Sequence, residues 1–290
     1  MFIAKDCRYL WELIRVGGHS SKAVLITGCD SGFGRELALR CISEGFTVFA
    51  GCLTEKCLSP KLHTVSLDVT SDESVQKAEL YVKKNLTDGL QLWGIVNNAG
   101  VFSCYGPDDW TSVNDYIRAA DVNTFGIVRV THAFRKYVKR SEGRIVSVTS
   151  VNGRLSTPGA GPYVVSKFGA EAYMDALRQE YYGAGVKVSI LEPGIFRTPL
   201  IDEEAMLRRV EDVWSRVDDE TKEEYGEDYK DYFAKMWNEL FITKSSTKIH
   251  YVVDNYLHAL TARYPRDRSV FEVSIRQVVA APRRDTAARA

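Results

Sequence analysis

The sequence contains no hydrophobic run long enough to cross a bilayer or to form the core of a signal peptide. Charged residues interrupt the first 20 positions at Lys5, Asp6, Arg8, Glu12 and Arg15. A membrane-spanning helix requires about 20 predominantly apolar residues, so we expect neither a transmembrane helix nor a signal peptide, and a soluble intracellular location. Residues 9–16 could form a short amphipathic turn, for which packing on the body is favoured over peripheral membrane contact.

The sequence also lacks an excess of charge of either sign. Its 38 Lys and Arg residues balance 38 Asp and Glu residues, which gives a formal net charge of +0. Because proteins that bind nucleic acid usually carry a basic excess, we expect no nucleic-acid partner. The hydrophobic content of 45% and charged content of 26% are those of an ordinary soluble globular protein.

Neither the cysteines nor the histidines follow a disulfide or metal-binding pattern. The 6 cysteines include no CxxC pair, and none of the 5 histidines has a metal-ligand spacing to another His or a Cys. The cysteines are Cys7, Cys29, Cys41, Cys52, Cys57 and Cys104. This spacing indicates a reducing compartment and predicts no bound metal.

Short apolar runs alternate with stretches of helical periodicity along most of the chain. The runs typical of buried strands lie at 23–27, 47–51, 62–67, 92–96, 145–148, 186–191 and, as an edge strand, 269–273. This alternation predicts an α/β fold, a three-layer doubly wound parallel sheet of the Rossmann type. We expect an N-terminal extension at 1–20, one catalytic domain at 21–273, and a flexible tail at 274–290.

A glycine-rich turn joins the first predicted strand to a helix at 35–43. Glycines at three positions would let the backbone approach a pyrophosphate, whose charge the following helix N-terminus would meet. The predicted cofactor-binding residues of this turn are Gly28, Asp30, Ser31, Gly32, Phe33 and Gly34.

Further cofactor-binding candidates stand at the ends of the next strands. Cys52 occupies the position at which an acid or a base usually distinguishes NAD from NADP. Asp30 would repel an extra phosphate, which favours NAD and leaves NADP open. At the third strand, Asp68 with Val69 either binds the adenine or only begins the next helix. The fourth strand ends in Asn97, Ala99 and Gly100, where small and amide residues allow a ligand to come close.

Three residues beyond the fifth strand could form one catalytic group. Lys167 follows Tyr163 by four positions, so the two share a helix face, and a cation beside a phenol lowers its pKa from about 10. Ser150, just past the strand at 145–148, could face the pair. A YxxxK pattern is common in helices by chance, so this role depends on the nucleotide site.

The stretch 108–139 predicts two helices with an unexplained amide inside them. Their predicted buried positions are Tyr116, Ile117, Val122, Phe125, Val128 and Phe134. Asn123 is a mediocre helix former, so it either bonds to nearby backbone or bends the helix toward a site.

Residues 200–240 are acidic and aromatic, unlike the rest of the chain. Two helical stripes are predicted, one with Leu207, Val210, Trp214 and Val217, the other with Tyr225, Tyr229, Tyr232, Phe233, Met236 and Leu240. Because this insertion follows the sixth strand of a nucleotide site, we predict a lid over a substrate pocket. The alternative is a surface hairpin that packs only on itself.

The motifs together resemble those of the short-chain dehydrogenases/reductases. TGCDSGFG, NNAG, Ser150, Tyr163-x-x-x-Lys167 and PGIFRT occur in that family's order and spacing. VFAGCLTEK, LHTVSLDVTSDES and GVKVSILEPGIF are similar to the branch that contains retinol dehydrogenases, hydroxysteroid dehydrogenases and mitochondrial 3-hydroxybutyrate dehydrogenase.

This resemblance implies roles for individual residues. Tyr163 would exchange the hydroxyl proton during hydride transfer, while Lys167 would hold the nicotinamide ribose and lower the pKa of Tyr163. Ser150 would bind the substrate oxygen, and Asn123 would anchor a water that links Lys167 to solvent. The residues implied at the nicotinamide end are Pro193, Gly194, Ile195 and Thr198.

The resemblance also implies a reaction and a substrate class. We expect NAD-dependent interconversion of an alcohol and a carbonyl on an apolar small molecule, of the retinoid or steroid type, by a homo-oligomer. The alternative is a 3-hydroxybutyrate-type dehydrogenase, with Arg154 or Arg197 binding the carboxylate. An idle NAD-binding interaction module is the alternative from another class. The family also offers the mitochondrion or the endoplasmic reticulum surface as locations.

Overall fold

The computed structural model describes residues 11–54, 62–87 and 89–271 of the chain, and a seven-stranded sheet organises them. The strands are β1 Lys22–Thr27, β2 Thr47–Cys52, β3 His63–Ser66, β4 Gln91–Asn97, β5 Arg144–Val148, β6 Lys187–Pro193 and β7 Arg268–Phe271. The helices are α1 Gly32–Ser43, α2 Asp72–Asn85, α3 Val113–Ala120, α4 Gly126–Arg140, α5 Gly161–Tyr181, α6 Glu203–Ser215, α7 Asp219–Tyr225, α8 Glu227–Lys244 and α9 His250–Thr261.

All seven strands are parallel, in the order β3-β2-β1-β4-β5-β6-β7. The predicted doubly wound fold is therefore confirmed. The chain adds β2 and β3 on one side of β1, and then β5, β6 and β7 on the far side of β4. A crevice therefore opens between the carboxyl ends of β1 and β4. Ligands bind at this switch point in open α/β sheets.

Helices cover both faces of the sheet and bury its strands. Helices α2, α4 and α5 pack on one face through residues such as Val82, Phe134 and Met174, and α1 and α9 pack on the other through Leu37 and Tyr256. Strands β1 and β2 are buried at every position after the first. Continuous apolar strands are what burial on two faces requires.

The lid packs on the body through a third, aromatic cluster. Helices α6 and α8 contribute Trp214 and Trp237, whose rings lie 4.8 Å from Trp110 and 5.4 Å from Tyr105 between centroids. The lid is therefore not a hairpin that packs only on itself. The first predicted stripe is confirmed at Val210, Trp214 and Val217, which are buried, and is wrong at Leu207, which is 40% exposed. In the second stripe Phe233 is buried, whereas Tyr232 is 52% exposed.

Several segment predictions differ from the structure at their ends. The stretch 108–139 begins with a short 3₁₀ helix, Asp108–Trp110, before α3 starts at Val113, and a π-helical turn, Asp121–Phe125, joins α3 to α4. Within that stretch, Ile117 and Phe125 are exposed although both were predicted to be buried. Residues 272–290, with the end of the predicted edge strand and the tail, lie outside the described residues, as do residues 1–10.

The segment from residue 11 to residue 16 is tied to the body by backbone hydrogen bonds. The Val16 N–H donates to the Thr261 carbonyl at 2.7 Å, and the Arg263 N–H donates to the Ile14 carbonyl at 2.8 Å. In the described ranges, no helix is both long enough and apolar enough to span a membrane.

The described cysteines are free thiols inside two different cores. Cys29, Cys41 and Cys52 lie between the sheet and helices α1 and α9, whereas Cys104 lies in the aromatic cluster under the lid. Burial raises the pKa of Cys41 to about 12 and the pKa values of Cys52 and Cys104 to about 11. Across residues 11–54, 62–87 and 89–271, no cluster of His, Cys, Asp or Glu is arranged to hold a metal ion.

Candidate active site

The glycine turn between β1 and α1 lies directly against the end of β4. Gly28 and Gly32 adopt left-handed conformations, with φ of 69° and 58°. A Cβ on Gly28 would lie 2.8 Å from the Ala99 Cα, and a Cβ on Gly34 would lie 2.4 Å from the Gly28 carbonyl oxygen. The turn therefore needs glycine both for its backbone shape and for close packing.

The first turn of α1 presents backbone donors to the crevice. Ser31 is the N-cap residue, and its side chain makes no capping hydrogen bond. The N–H groups at a helix N-terminus have no partner within the helix and carry its positive dipole end. This arrangement fits the pyrophosphate of a dinucleotide cofactor.

A cavity of about 370 Å³ runs along this turn. The predicted cofactor-binding residues that line it are Gly28, Asp30, Ser31, Gly32, Phe33, Asp68, Val69, Ala99, Gly100 and Thr198. Pro193, Gly194, Ile195, Tyr163 and Lys167 line an adjacent cavity instead. Gly34, Cys52 and Asn97 line neither cavity, since all three are buried in the packing behind the turn.

Asn98, which we did not predict, holds the glycine turn where Asn97 does not. Its side-chain amide donates to the carbonyls of Thr27 and Gly28, at 2.9 and 3.1 Å, and its Oδ1 accepts from the Tyr256 hydroxyl at 3.0 Å. The Asn97 amide instead donates to Thr131 and Ser147 behind the sheet. Alternation along β4 sends neighbouring side chains to opposite faces, which is the sequence signal that separates the two.

The two acidic residues of the cavity are held by local hydrogen bonds. Asp30 accepts from the backbone of Leu53 and Thr54, each at 3.0 Å, and from the Thr54 hydroxyl at 2.7 Å. Burial alone would raise the pKa of Asp30, but these bonds outweigh it and lower the pKa below its usual value. Asp68 accepts from the Thr70 N–H and hydroxyl, at 2.9 and 2.7 Å, so its carboxylate holds the turn before α2, whose N-cap is Ser71, while Asp68 also lines the cavity.

The structure brings Ser150, Tyr163 and Lys167 together at the carboxyl ends of β5 and β6. Helix α5 carries Tyr163 and Lys167 on one face, with the ammonium 5.5 Å from the phenol ring centroid. Lys167 donates to the Val148 carbonyl at 3.3 Å, and Ser150 donates to the Pro193 carbonyl at 3.5 Å. The Tyr163 ring stacks on Phe102, with centroids 4.7 Å apart.

Burial moves the pKa values of the two α5 residues in opposite directions. It raises the pKa of Tyr163 to about 12, against the effect of a hydrogen bond with Ser150, and it lowers the pKa of Lys167 to about 8, opposed by Glu171. The sequence predicted a lowered pKa for Tyr163. Burial opposes that effect in the folded chain, and the lowering that Lys167 and an oxidised nicotinamide would together produce stays a prediction.

Asn123 bonds to backbone distant in sequence rather than to its own helix. Its Oδ1 accepts from the Val101 N–H, and its Nδ2 donates to the Val101 carbonyl and to the Ser166 hydroxyl, all at 2.9 Å. The π-helical turn places this amide beside Lys167, since a Cβ on Gly100 would lie 3.2 Å from the Asn123 Oδ1 and 3.5 Å from the Lys167 Nζ.

An ion cluster supports the loop that carries Ser150. Arg268 on β7 pairs with Glu171 of α5 and Glu192 of β6, and also with Asp175 at 2.7 Å. Glu171 in turn accepts a hydrogen bond from Thr149, the residue before Ser150. The sequence did not predict this cluster, because its members lie far apart along the chain.

A second cavity of about 140 Å³ opens onto Ser150 and Tyr163. Its walls include Phe102, Tyr105, Trp237 and Phe241, which the lid and the loop after β4 contribute. Arg154 and Arg197 do not line it. Arg154 pairs with Glu192 at 3.5 Å, and Arg197 donates to the Ile242 carbonyl at 3.4 Å.

The fold and this site define a dehydrogenase of the class that binds dinucleotides on a parallel sheet. The model of the short chain dehydrogenase family matches residues 22–206. The chain therefore belongs to the short-chain dehydrogenase family, as its motifs predicted.

Curated relatives carry several dehydrogenase names. The chain is 46% identical to the 3beta-hydroxysteroid dehydrogenase dhs-16 of Caenorhabditis elegans over 263 residues, which cover 86% of this chain and 68% of that protein. It is 41% identical to human retinol dehydrogenase 5, with 86% and 80% covered. It is 40% identical to the mitochondrial D-beta-hydroxybutyrate dehydrogenase of Rattus norvegicus, with 86% and 76% covered.

Two solved structures share the fold at low sequence identity. A short-chain dehydrogenase from Burkholderia cenocepacia, solved in complex with NADP, superposes with a TM-score of 0.65 at 20% identity, covering 90% of this chain and 91% of that one. One from Burkholderia phymatum, solved in complex with NAD, gives 0.68 at 21% identity, with 88% and 90% covered.

Proposed function

We propose that this protein is an NAD-dependent oxidoreductase that interconverts an alcohol and a carbonyl on an apolar small molecule of the retinoid or steroid type. The observation that carries the proposal is the composition of the smaller cavity. Its aromatic and aliphatic walls converge on Ser150 and Tyr163, and Lys167 is the one basic residue among the described residues that line it. The hydroxysteroid and retinol dehydrogenase names of the relatives agree with this substrate class.

The residues of the site suit proton exchange at the substrate oxygen. A bound nicotinamide supplies or accepts the hydride. Tyr163 takes the alcohol proton during oxidation and returns it during reduction. Ser150 donates a hydrogen bond to the substrate oxygen, which stabilises its partly ionised form. Lys167, with a pKa of about 8, is largely protonated near neutral pH, so its charge favours the phenolate of Tyr163 when the base is needed.

The acidic residue in the glycine turn supports NAD as the cofactor. Asp30 faces the larger cavity, and its hydrogen bonds to Leu53 and Thr54 keep the carboxylate ionised. A fixed negative charge there disfavours the 2′-phosphate of NADP by like-charge repulsion. We expect Asp30→Ser to improve the ratio of NADP to NAD turnover.

The cavity volume favours a second candidate, a short hydroxy acid. About 140 Å³ is below the 300–1,000 Å³ typical of drug-sized ligands, so a steroid would require the lid to move outward. The charges oppose this candidate, because a carboxylate needs a cation, and Arg154 and Arg197 bind elsewhere.

A cofactor-linked substrate screen tests the proposal. Purified protein with NAD is supplied separately with retinols, hydroxysteroids and 3-hydroxybutyrate, and the formation of NADH is followed by absorbance. We expect turnover of a retinol or hydroxysteroid that Tyr163→Phe reduces by at least about a hundredfold. If 3-hydroxybutyrate is turned over and no retinol or hydroxysteroid is, the apolar-substrate proposal fails and the hydroxy-acid candidate takes its place. NAD binding without any turnover that depends on Tyr163 would support the idle binding module.

A further inference from the structure

The lid brings one guanidinium to the cavity that runs along the glycine turn. Arg209, on α6, lines this larger cavity together with Gly32, Phe33 and Thr198. Its Nη1 donates to the Leu200 carbonyl at 2.9 Å, and its guanidinium carbon lies 5.8 Å from the Phe102 ring centroid. The guanidinium is therefore held between the base of the lid and an aromatic ring.

Arg209 is a half-buried cation without an acidic partner in the described part of the chain. No Asp or Glu oxygen there lies within 4.0 Å of its guanidinium, whereas the neighbouring Arg208 pairs with Glu204 at 3.2 Å. Burial and the neighbouring Arg208 lower the pKa of Arg209, and the more distant Asp202 opposes them only in part. Within those residues, Nε and Nη2 make no hydrogen bond, so a guanidinium with five N–H donors has donors left for a ligand.

The wall of the cavity beside α1 also suits a negatively charged ligand. The α1 N-terminus lacks a side-chain cap, and a Cβ on Gly32 would lie 3.7 Å from the Thr198 Cβ. The base of the lid thus lies against the glycine turn. The carboxylates in the cavity, Asp30 and Asp68, already accept hydrogen bonds from Thr54 and Thr70. A helix N-terminus and a guanidinium on one cavity together suit an anion, and the planar fork of arginine matches a phosphate.

We propose that Arg209 binds the pyrophosphate of the dinucleotide cofactor from the lid side, so that a bound cofactor holds the base of the lid against the glycine turn. The proposal rests on the proposed function only in requiring that a dinucleotide occupies the larger cavity. It assigns Arg209 to cofactor binding and lid position, and not to the chemical step.

Binding measurements with a matched pair of variants test this assignment. NADH and ADP-ribose, which both contain a pyrophosphate, are titrated into the wild type, Arg209→Gln and Arg208→Gln by calorimetry. Loss of a charge-assisted hydrogen bond predicts that Arg209→Gln weakens both ligands about ten- to a hundredfold. Arg208→Gln, which alters an exposed neighbour on the same helix, should stay within about twofold of the wild type. Arg209→Met, which keeps an apolar stem against Phe102, should match Arg209→Gln.

A second readout follows the lid itself. ADP-ribose should slow tryptic cleavage within residues 200–244 in the wild type and in Arg208→Gln, but not in Arg209→Gln. Unchanged binding of NADH by both Arg209 variants would overturn the proposal. Weakened NADH with unchanged ADP-ribose would also overturn it, because Arg209 would then act at the nicotinamide end. Failure of the wild type to bind either ligand would instead reject the proposed function.

Discussion

Among single residues, burial controls the ionisation of Tyr163 and Lys167, the proposed catalytic pair. Tyr163 is 7% exposed and Lys167 is 3% exposed, so both lose water that would stabilise their charged forms. The phenol keeps its proton more strongly and the amine more weakly, which brings their pKa values to about 12 and about 8. Near neutral pH the pair therefore consists of a neutral phenol and an ammonium that loses its proton more readily than usual.

This shift makes the stability of the protein depend on pH in a definite direction. The pKa of Lys167 is about 8 in the folded chain, below its usual 10.5, so the unfolded chain binds more protons between these values. The free energy of unfolding should therefore rise with pH in this range. Between about pH 7.5 and pH 9.5, the wild type should gain about 2 kcal/mol relative to Lys167→Met. Urea unfolding of both proteins at the two pH values measures the difference, and a relative loss for the wild type would contradict it.

Sequence spacing could predict that the proposed catalytic residues lie together, but not which other residues surround them. Tyr163 and Lys167 are one helical turn apart, so periodicity alone brings them together, as in the structure. Asn98 was missed because it adjoins Asn97, and only the strand register decides which amide faces the turn. Arg209 was missed because the rotation of the lid helix depends on packing with other segments, which no local pattern encodes.

Among the elements, the junction of β1, α1 and β4 is the most tightly packed part of the site. A Cβ added at Gly34 would lie 2.4 Å from both the Gly28 carbonyl oxygen and the Asn98 side-chain nitrogen. Backbone on one side leaves little room for adjustment, so Gly34→Ala should destabilise the protein by about 2 kcal/mol or more and weaken NADH binding.

Gly183→Ala provides the control for that prediction. No heavy atom lies within 4 Å of the place of its Cβ, so we expect a change in the free energy of unfolding within about 0.5 kcal/mol. Thermal unfolding and NADH titration of both variants supply the measurements. Equal stability of the two variants would show that α1 can move away from the turn.

The ion cluster joins three elements through a single cation. Arg268 of β7 compensates Glu171 of α5 and Glu192 of β6, which are 5% and 3% exposed. Arg268→Met would leave Glu171 buried without its cation and Glu192 with only Arg154, at 3.5 Å, so we expect a loss of about 3 kcal/mol near neutral pH.

The same variant should lose less stability in acid. Burial already raises the pKa of Glu171, and without Arg268 the carboxylate gains still more from protonation as the pH falls. The difference between wild type and Arg268→Met, measured by urea unfolding, should be smaller at pH 5 than at pH 7.5. Arg208→Met, which alters an exposed pair, is the control. A deficit that grows in acid would exclude this explanation.

Element order could be predicted from the alternation of patterns, whereas element ends could not. The first six predicted strands appear within a few residues of their expected bounds, because continuous apolar runs are a strong local signal. The helical stretch 108–139 was less informative. Its π-helical turn depends on bonds from Asn123 to Val101 and Ser166, which are tertiary contacts.

For the whole molecule, an exposed apolar surface on α3 and α5 favours self-association. These helices pack on each other, and their outward side chains include Val113, Ile117 and Val165, which are 75%, 59% and 55% exposed. The periodic pattern predicted burial for Ile117, and a second copy of the chain would provide it. We therefore expect a homo-oligomer, as the family resemblance implied.

A charge placed on this surface should separate the subunits. Val165→Arg and Ile117→Arg should each shift the sedimentation coefficient toward that of a monomer, because an unpaired guanidinium is costly in an apolar interface. Leu80→Arg on α2, where the leucine is 61% exposed, should leave the wild-type assembly intact. A wild type that sediments as a monomer at micromolar concentration would reject the interface.

Alkylation of the buried thiols can be used to measure how often each core becomes exposed to solvent. A thiolate is the reactive form, and both inaccessibility and a raised pKa suppress it, so alkylating reagents should act only when a core is transiently exposed. With Cys7 and Cys57 replaced by serine, modification of Cys104 would time the opening of the lid, and modification of Cys41 would time the separation of α1 from the sheet. Measured in one chain, the two alkylation rates would report lid opening and α1 separation independently of each other.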